Sequence, residues 1–288
     1  MAITSRAVVL SGGGAAGGAW MLGILSALRE EGLDLGDADL IVGTSAGARV
    51  AAALGTGVLR EAAQQCRDGL PATWVPATLG QFMGASMRII ADSPTEVEAA
   101  RRIANMGPLG DRLASGADRR RAIAAQLPVQ EWPWQRLVIT AVDAESGRRA
   151  SFDAASRVGL VDAVTASGAL PGIYPLVSIN GRRFADGGVH SLYNADLAAG
   201  HDVVTVLSPM PLNEYFRAKL EAEVAALGAA EVQIVIADER SLAAVGPDPN
   251  SAAAARAALE AGAAQARLEI ARLKPVWQAT DADAPRVA

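Results

Sequence analysis

Between Arg6 and Arg29 the chain runs from Ala7 to Leu28 without a charge, and six glycines interrupt that run, three of them consecutive at Gly12-Gly13-Gly14. A signal-peptide core or a membrane-spanning helix is continuously apolar, so this spacing argues against both. The stretch reads instead as a strand from Arg6 to Leu10, a glycine loop from Ser11 to Gly18, and an amphipathic helix from Ala19 to Glu31 that stops before Gly32. A second apolar strand, Leu40 to Val42, runs into Gly43-Thr44-Ser45-Ala46-Gly47 and an Ala-rich helical segment to Leu54. Further strands are expected at Leu137 to Val142, Val203 to Leu207 and Val232 to Ile236. This alternation predicts a three-layer α/β/α fold with a mainly parallel, buried central sheet.

Composition narrows the function classes. Of the 288 residues 51% are apolar and 20% charged, which excludes a disordered or low-complexity chain. A net charge of −5 gives no attractive field for a phosphate backbone, and 4% aromatic residues leave few stacking platforms, so nucleic acid is not an expected partner. Cys66 is the lone cysteine, which excludes an internal disulfide and a thiolate cluster and suits a reducing, cytoplasmic compartment. Two histidines, His190 and His201, cannot build a three-histidine metal site. No metal and no cofactor are expected. Lys219 and Lys274, the only lysines, have no companion motif for Schiff-base chemistry.

One domain over residues 3–281 is the expected organisation. Strand signals lapse from about Asp68 to Gly116, where Pro71, Pro76, Pro94 and Pro108 separate pieces holding Trp74, Phe82, Met83, Met87 and Met106. This reads as a cap-like insertion; such a Met-rich segment can line an acyl pocket, although it more often fills a core. Residues 201–281 supply C-terminal strands and a helix, Ser251 to Leu273, expected to pack on the sheet. Asp281 to Ala288 reads as a loose tail.

Three short motifs carry chemistry. Gly43-Thr44-Ser45-Ala46-Gly47, between a strand and a helix, is the context of a nucleophile elbow, in which the backbone turns so sharply that side chains at Gly43 and Gly47 would collide with their neighbours. Ser45 is the candidate nucleophile. Gly12-Gly13-Gly14, just past a strand, can aim backbone N–H groups into a cleft, and the Ala46 N–H at a helix start can add another. Asp186-Gly187-Gly188 follows a strand-like Gly181 to Ala185 segment, and its glycines permit the close approach that brings a short carboxylate to a second residue. His190 and His201 lie late enough for a Ser-His-Asp order, but neither sits in an obvious loop after an acidic partner. Arg119 to Arg121 reads as a solvated helix start, and Asp143 as a structural turn residue.

Together the motifs resemble the patatin-like phospholipase family. The resemblance runs from Gly12-Gly13-Gly14-Ala15-Ala16-Gly17 through the Ser45 pentapeptide to Asp186-Gly187-Gly188, with support from Ala166-Ser167-Gly168-Ala169-Leu170-Pro171-Gly172 and Asn194-Ala195-Asp196, and covers roughly residues 5–200. It implies a serine lipid acyl hydrolase of esterase or phospholipase A type. Ser45 and Asp186 would form a catalytic dyad without a histidine, with Gly12, Gly13, Gly14, Gly17 and Ala46 as the oxyanion hole and Gly43, Gly47, Gly187 and Gly188 as elbow and turn glycines. Acyl esters or phospholipids would be the substrate, with transient contact at a membrane surface. Many members carry a basic residue just before the last loop glycine, where this chain has Ala16, so the loop relies on backbone donors alone. Gly12-x-Gly14-x-x-Gly17 also satisfies a dinucleotide fingerprint, which makes a nicotinamide oxidoreductase one alternative; the expected carboxylate after the second strand is absent, with Asp37 and Asp39 preceding it. A patatin-like protein that binds an acyl ligand without turnover is the other.

Overall fold

The computed structural model describes residues 4–69, 77–110, 115–133, 136–211, 213–228, 230–245 and 251–279. Its first strand, β1 (Arg6–Leu10), shows why a parallel sheet forms: Val8 and Leu10 enter one apolar cluster, Ala7 and Val9 another, so both faces of the strand are buried. Successive side chains on a strand point to opposite faces, and apolar residues at every position therefore require covers on both sides.

β1 pairs in parallel with β2 (Leu40–Gly43) and β7 (Val203–Ser208); β2 pairs with β3 (Arg136–Asp143) and β7 with β8 (Glu231–Ile236), again in parallel. Beyond β3 the direction reverses. β4 (Arg149–Phe152) and β6 (Arg182–Asp186) run antiparallel to β3, and β5 (Val177–Ile179) pairs antiparallel with β6. The strand order is β5-β6-β3-β2-β1-β7-β8, with β4 on β3. The mainly parallel α/β/α architecture is as expected; the antiparallel margin is an addition to it, because short hairpin strands such as Val177–Ile179 carry little apolar periodicity.

Helices α1 (Gly14–Glu30), α2 (Ala46–Gly55), α3 (Leu59–Asp68), α7 (Leu160–Ser167) and α10 (Ala252–Trp277) share one cluster with Val8, Leu10, Ile41 and Ile139. On the other face Tyr193, Ala195, Ala198 and α8 (Glu214–Ala225) cover Val9, Val42, Val204 and Val206. The remaining helices are α4 (Ala77–Ala91), α5 (Glu96–Ala104), α6 (Gly116–Ala125) and α9 (Glu239–Val245).

Two expectations are corrected. The first helix begins at Gly14, not Ala19, so the glycine loop is shorter and Gly14 to Gly18 form the opening of α1; Gly14 takes φ +65° to make the turn. The C-terminal helix runs on to Trp277 through Pro275 and lies chiefly along α1 rather than on the sheet. A Cβ on Gly23 would stand 2.1 Å from the Leu259 carbonyl oxygen and one on Gly262 2.3 Å from that of Trp20, so the two backbones touch with no room for side chains. The described part of the segment 68–116 contains no strand, in keeping with the lapse of strand signals, and its pieces are the helices α4 and α5; Pro71, Trp74 and Pro76 lie outside the described residues, as does the tail after Ala279. No described helix is long and apolar enough to cross a membrane.

Candidate active site

Strand register brings the site together. β2 and β6 flank β3, one parallel and one antiparallel, with Gly43 opposite Ile139 and Asp186 opposite Ala141, so their C-terminal ends lie two positions apart along the same strand. Ser45 follows β2 and Asp186 ends β6; the Ser45 hydroxyl donates to Asp186 Oδ2 at 2.8 Å across 141 positions of sequence.

Ser45 takes φ 55°, ψ −118°, a conformation that costs a non-glycine residue about 1–3 kcal/mol. Its surroundings hold it there. Its N–H donates to Ser167 Oγ at 2.9 Å, the Thr44 N–H to the Leu10 carbonyl at 3.0 Å and the Gly47 N–H to the Thr44 carbonyl at 2.8 Å. A Cβ on Gly43 would stand 2.7 Å from Ala48 Cα, and one on Gly47 2.0 Å from Leu10 O, so both glycines are required by contact. Beneath the turn, Thr44 Oγ1 and Thr140 Oγ1 lie 2.8 Å apart, and buried Asn194 donates to Thr44 Oγ1 at 3.0 Å.

Asp186 is buried, and its second oxygen accepts from the Gly188 N–H at 2.7 Å. Burial pushes its pKa up to about 6, against the opposing pull of the Gly188 N–H, the Ser45 hydroxyl and the Arg119 cation. A Cβ on Gly187 would stand 2.3 Å from Thr140 Oγ1, so only glycine lets the chain leave β6 this close to β3.

The glycine loop divides into two roles. The Gly12 N–H donates to the Leu192 carbonyl at 2.9 Å and the Gly17 N–H to the Gly13 carbonyl at 3.1 Å, so these two amides are already engaged. Gly13, Gly14 and Ala46 stand at the starts of α1 and α2, where the first N–H groups of a helix have no intrahelical acceptor, and all three line the same cavity as Ser45. A Cβ on Gly12 would lie 3.5 Å from Ser45 Cβ, which fixes how near the loop comes.

The cavity holds about 440 Å³ and is walled mainly by apolar side chains, among them Leu79, Phe82 and Met83 of α4, Ile123 of α6 and Val164 of α7. The Met-rich segment therefore contributes to the cavity wall. The histidines are elsewhere. His190 lines a second depression with Glu96, Asp196 and Lys219, and burial together with the nearby Arg149 cation lowers its pKa to about 4; His201 Nδ1 lies 3.0 Å from the Ala198 carbonyl oxygen. Asp143 accepts from Ser146 and Arg182, a structural turn as expected.

Arg119 departs from its expected role. Arg120 and Arg121 are exposed and paired with Asp162 and Asp118, but Arg119 lines the cavity with its guanidinium 3.7 Å above the Tyr174 ring. Nothing in the run of three arginines distinguishes the first. Ser167 lies in one of the supporting motifs, whereas Arg49 lies in none; four residues after Ser45 on a helix start, Arg49 lines the same cavity, and that spacing is a usable signal.

The α/β/α fold thus brings a serine and an aspartate into hydrogen-bond contact at the ends of β2 and β6. The patatin-like phospholipase family model matches residues 8–199, and the chain belongs to that family. Among solved structures, VipD from Legionella pneumophila is similar at 15% identity and a TM-score of 0.44, over 93% of this chain and 67% of that one. The type III effector protein ExoU is similar at 16% identity and a TM-score of 0.37; the match covers 92% of this chain and 54% of ExoU, so this chain spans about half of that protein. No curated protein matches the sequence.

Proposed function

We propose that the protein is a serine lipid acyl hydrolase of esterase or phospholipase A type, in which Ser45 is the nucleophile and Asp186 the general base. The observation that carries this reading is the 2.8 Å hydrogen bond from Ser45 to a buried carboxylate in an apolar cavity. Membership of the patatin-like phospholipase family supports hydrolysis of lipid esters.

In this reading Asp186 takes the hydroxyl proton as Ser45 Oγ bonds to the acyl carbonyl carbon, and the developing oxyanion is held by the amides of Gly13, Gly14 and Ala46. Gly12 and Gly17 shape the loop. Collapse breaks the bond to the alcohol, which leaves with the proton from Asp186. Water then attacks the acyl-enzyme and gives its proton to Asp186; the carboxylic acid departs and Ser45 Oγ recovers that proton. A carboxylate with a pKa near 6 is a stronger base than an ordinary aspartate and is still ionised at neutral pH. His190 and His201 take no part, no metal or cofactor is required, and delivery of substrate involves transient contact with a lipid surface in a cytoplasmic setting.

The test is labelling by a fluorophosphonate probe, together with turnover of p-nitrophenyl esters of graded chain length and of phospholipid vesicles. Labelling and turnover that vanish in Ser45→Ala are expected. An unlabelled parent protein that binds acyl chains would instead make it a binding protein.

A further inference from the structure

Asp186 is the one carboxylate lining the cavity among the described residues, and it is accompanied by two guanidiniums, Arg49 and Arg119. Neither arginine has a carboxylate within ion-pair distance among the described residues, in contrast to Arg120, Arg121 and Arg149. Arg49, on α2, donates to Gln126 Oε1. Arg119, on α6, donates through Nη2 to the Gly168 carbonyl at 3.0 Å, stacks on Tyr174, and has its Nε buried with no partner among the described residues.

Both guanidiniums sit against glycines. A Cβ on Gly18 would stand 3.0 Å from Arg49 Nη2, and one on Gly168 3.0 Å from Arg119 Nη2. Burial weakens the hold of both groups on their protons, and the charge of Arg119 adds to that effect at Arg49. The two guanidiniums outnumber the single carboxylate of this largely apolar enclosure, and a guanidinium fork binds phosphate or carboxylate through paired hydrogen bonds. The glycine loop itself carries Ala16 and no cation, so the arginines are the only cations lining the cavity among the described residues.

We propose that Arg49 and Arg119 form an anion-binding subsite inside the cavity, and that the preferred ester carries a phosphate or carboxylate group held by these two residues while Ser45 attacks its acyl carbonyl. The substrate assignment rests on the acyl-hydrolase reading; the anion subsite itself does not. Arg119 also draws down the proton affinity of Asp186, so an anion that neutralises Arg119 makes Asp186 the stronger base.

Binding is tested first on Ser45→Ala protein, which needs no turnover, by calorimetric titration with decyl phosphate, decanoate and decanol, and with inorganic phosphate. The phosphate or the carboxylate amphiphile should bind at least about tenfold tighter than decanol, as expected for a charge-assisted hydrogen bond. Which of the two binds more tightly identifies the anion, and inorganic phosphate binding more weakly than decyl phosphate assigns it to a lipid headgroup rather than to the free ion. The preference should collapse in Arg49→Gln and Arg119→Gln and return in part in Arg49→Lys and Arg119→Lys. Near-UV circular dichroism checks each fold, and Arg49→Gln carries the test if Arg119→Gln does not fold. In the active protein the ratio of kcat/KM for an anionic over a neutral ester should fall at least about tenfold in the Gln variants, with partial recovery in the Lys variants. Equal affinity for decanol and the anionic amphiphiles, or a selectivity ratio indifferent to the Gln changes, overturns the subsite. An unlabelled Ser45 beside an intact anion preference overturns the acyl-hydrolase reading alone.

Discussion

Gly47 faces Leu10 so closely that a methyl group on its Cα would stand 2.0 Å from the Leu10 carbonyl oxygen and 2.6 Å from that of Ser11. The start of α2 is thereby seated against the end of β1, and the Ser45 turn has no freedom to relax. Gly47→Ala is expected to destabilise the fold by about 3 kcal/mol or more, since backbone atoms cannot move aside as a flexible side chain can. Urea unfolding measures it. A change below about 0.5 kcal/mol, the scale of an innocuous surface substitution, would contradict the close packing.

Asp186 sets two pH dependences of opposite sense. In the proposed mechanism Asp186 acts as an ionised base, so the rate should fall on acidification with a midpoint near 6. Stability runs the other way: a folded pKa raised from 3.8 to about 6 contributes stability that is fully present below 3.8 and lost as pH rises through 6. Asp186→Asn should therefore abolish turnover while making the protein more stable above pH 6, by up to about 3 kcal/mol at roughly 1.4 kcal/mol per pH unit. Thermal unfolding of parent and variant at pH 4 and pH 8 provides the comparison. A variant less stable than its parent at both pH values would show that the buried charge is not costly.

Replacing both His190 and His201 by Gln should leave most of the esterase activity, because neither imidazole is among the residues lining the Ser45 cavity. The decisive reading is the specific activity of the folded double variant. Complete loss with an unchanged circular dichroism spectrum would replace the dyad by a triad.

Asn194 acts at a distance from the reacting atoms. It is fully buried at φ 55°, and its amide joins Thr44 Oγ1 to the Ser191 carbonyl while its oxygen accepts from Arg149 at 3.2 Å. Asn194→Ala leaves those partners unsatisfied and places alanine in a left-handed conformation, at a combined cost of about 2–4 kcal/mol. Because Thr44 precedes Ser45, kcat should decline more than KM rises, with the acid midpoint of the rate profile unmoved. A shifted midpoint would place Asn194 in direct communication with Asp186.

Much of this was legible in the residues themselves. The strands at Arg6–Leu10 and Leu40–Gly43 follow from unbroken apolar runs, and the Ser45 turn follows from two glycines whose side chains would have nowhere to go. What stayed hidden depends on tertiary partners. Gly14 to Gly18 look like a loop in isolation, yet Gly17 packs against Pro209 and they open α1. Arg119 is indistinguishable from Arg120 and Arg121 until Tyr174 is seen beneath it. The strand-like segment before Asp186 is β6, but its antiparallel partner β5, Val177–Ile179, is too short for periodicity to reveal.

The pairing of β1 with β7 reaches past the end of the family match. Residue 199 precedes β7, β8 and α10, yet β7 lies directly beside β1, and α10 presses its backbone on the helix that starts at the glycine loop. An expression clone ended at the family boundary would leave β1 with an open edge and Trp20 stripped of its cover, an invitation to aggregate. The smallest piece worth producing is thus set by the neighbours of β1 and not by the extent of recognisable motifs.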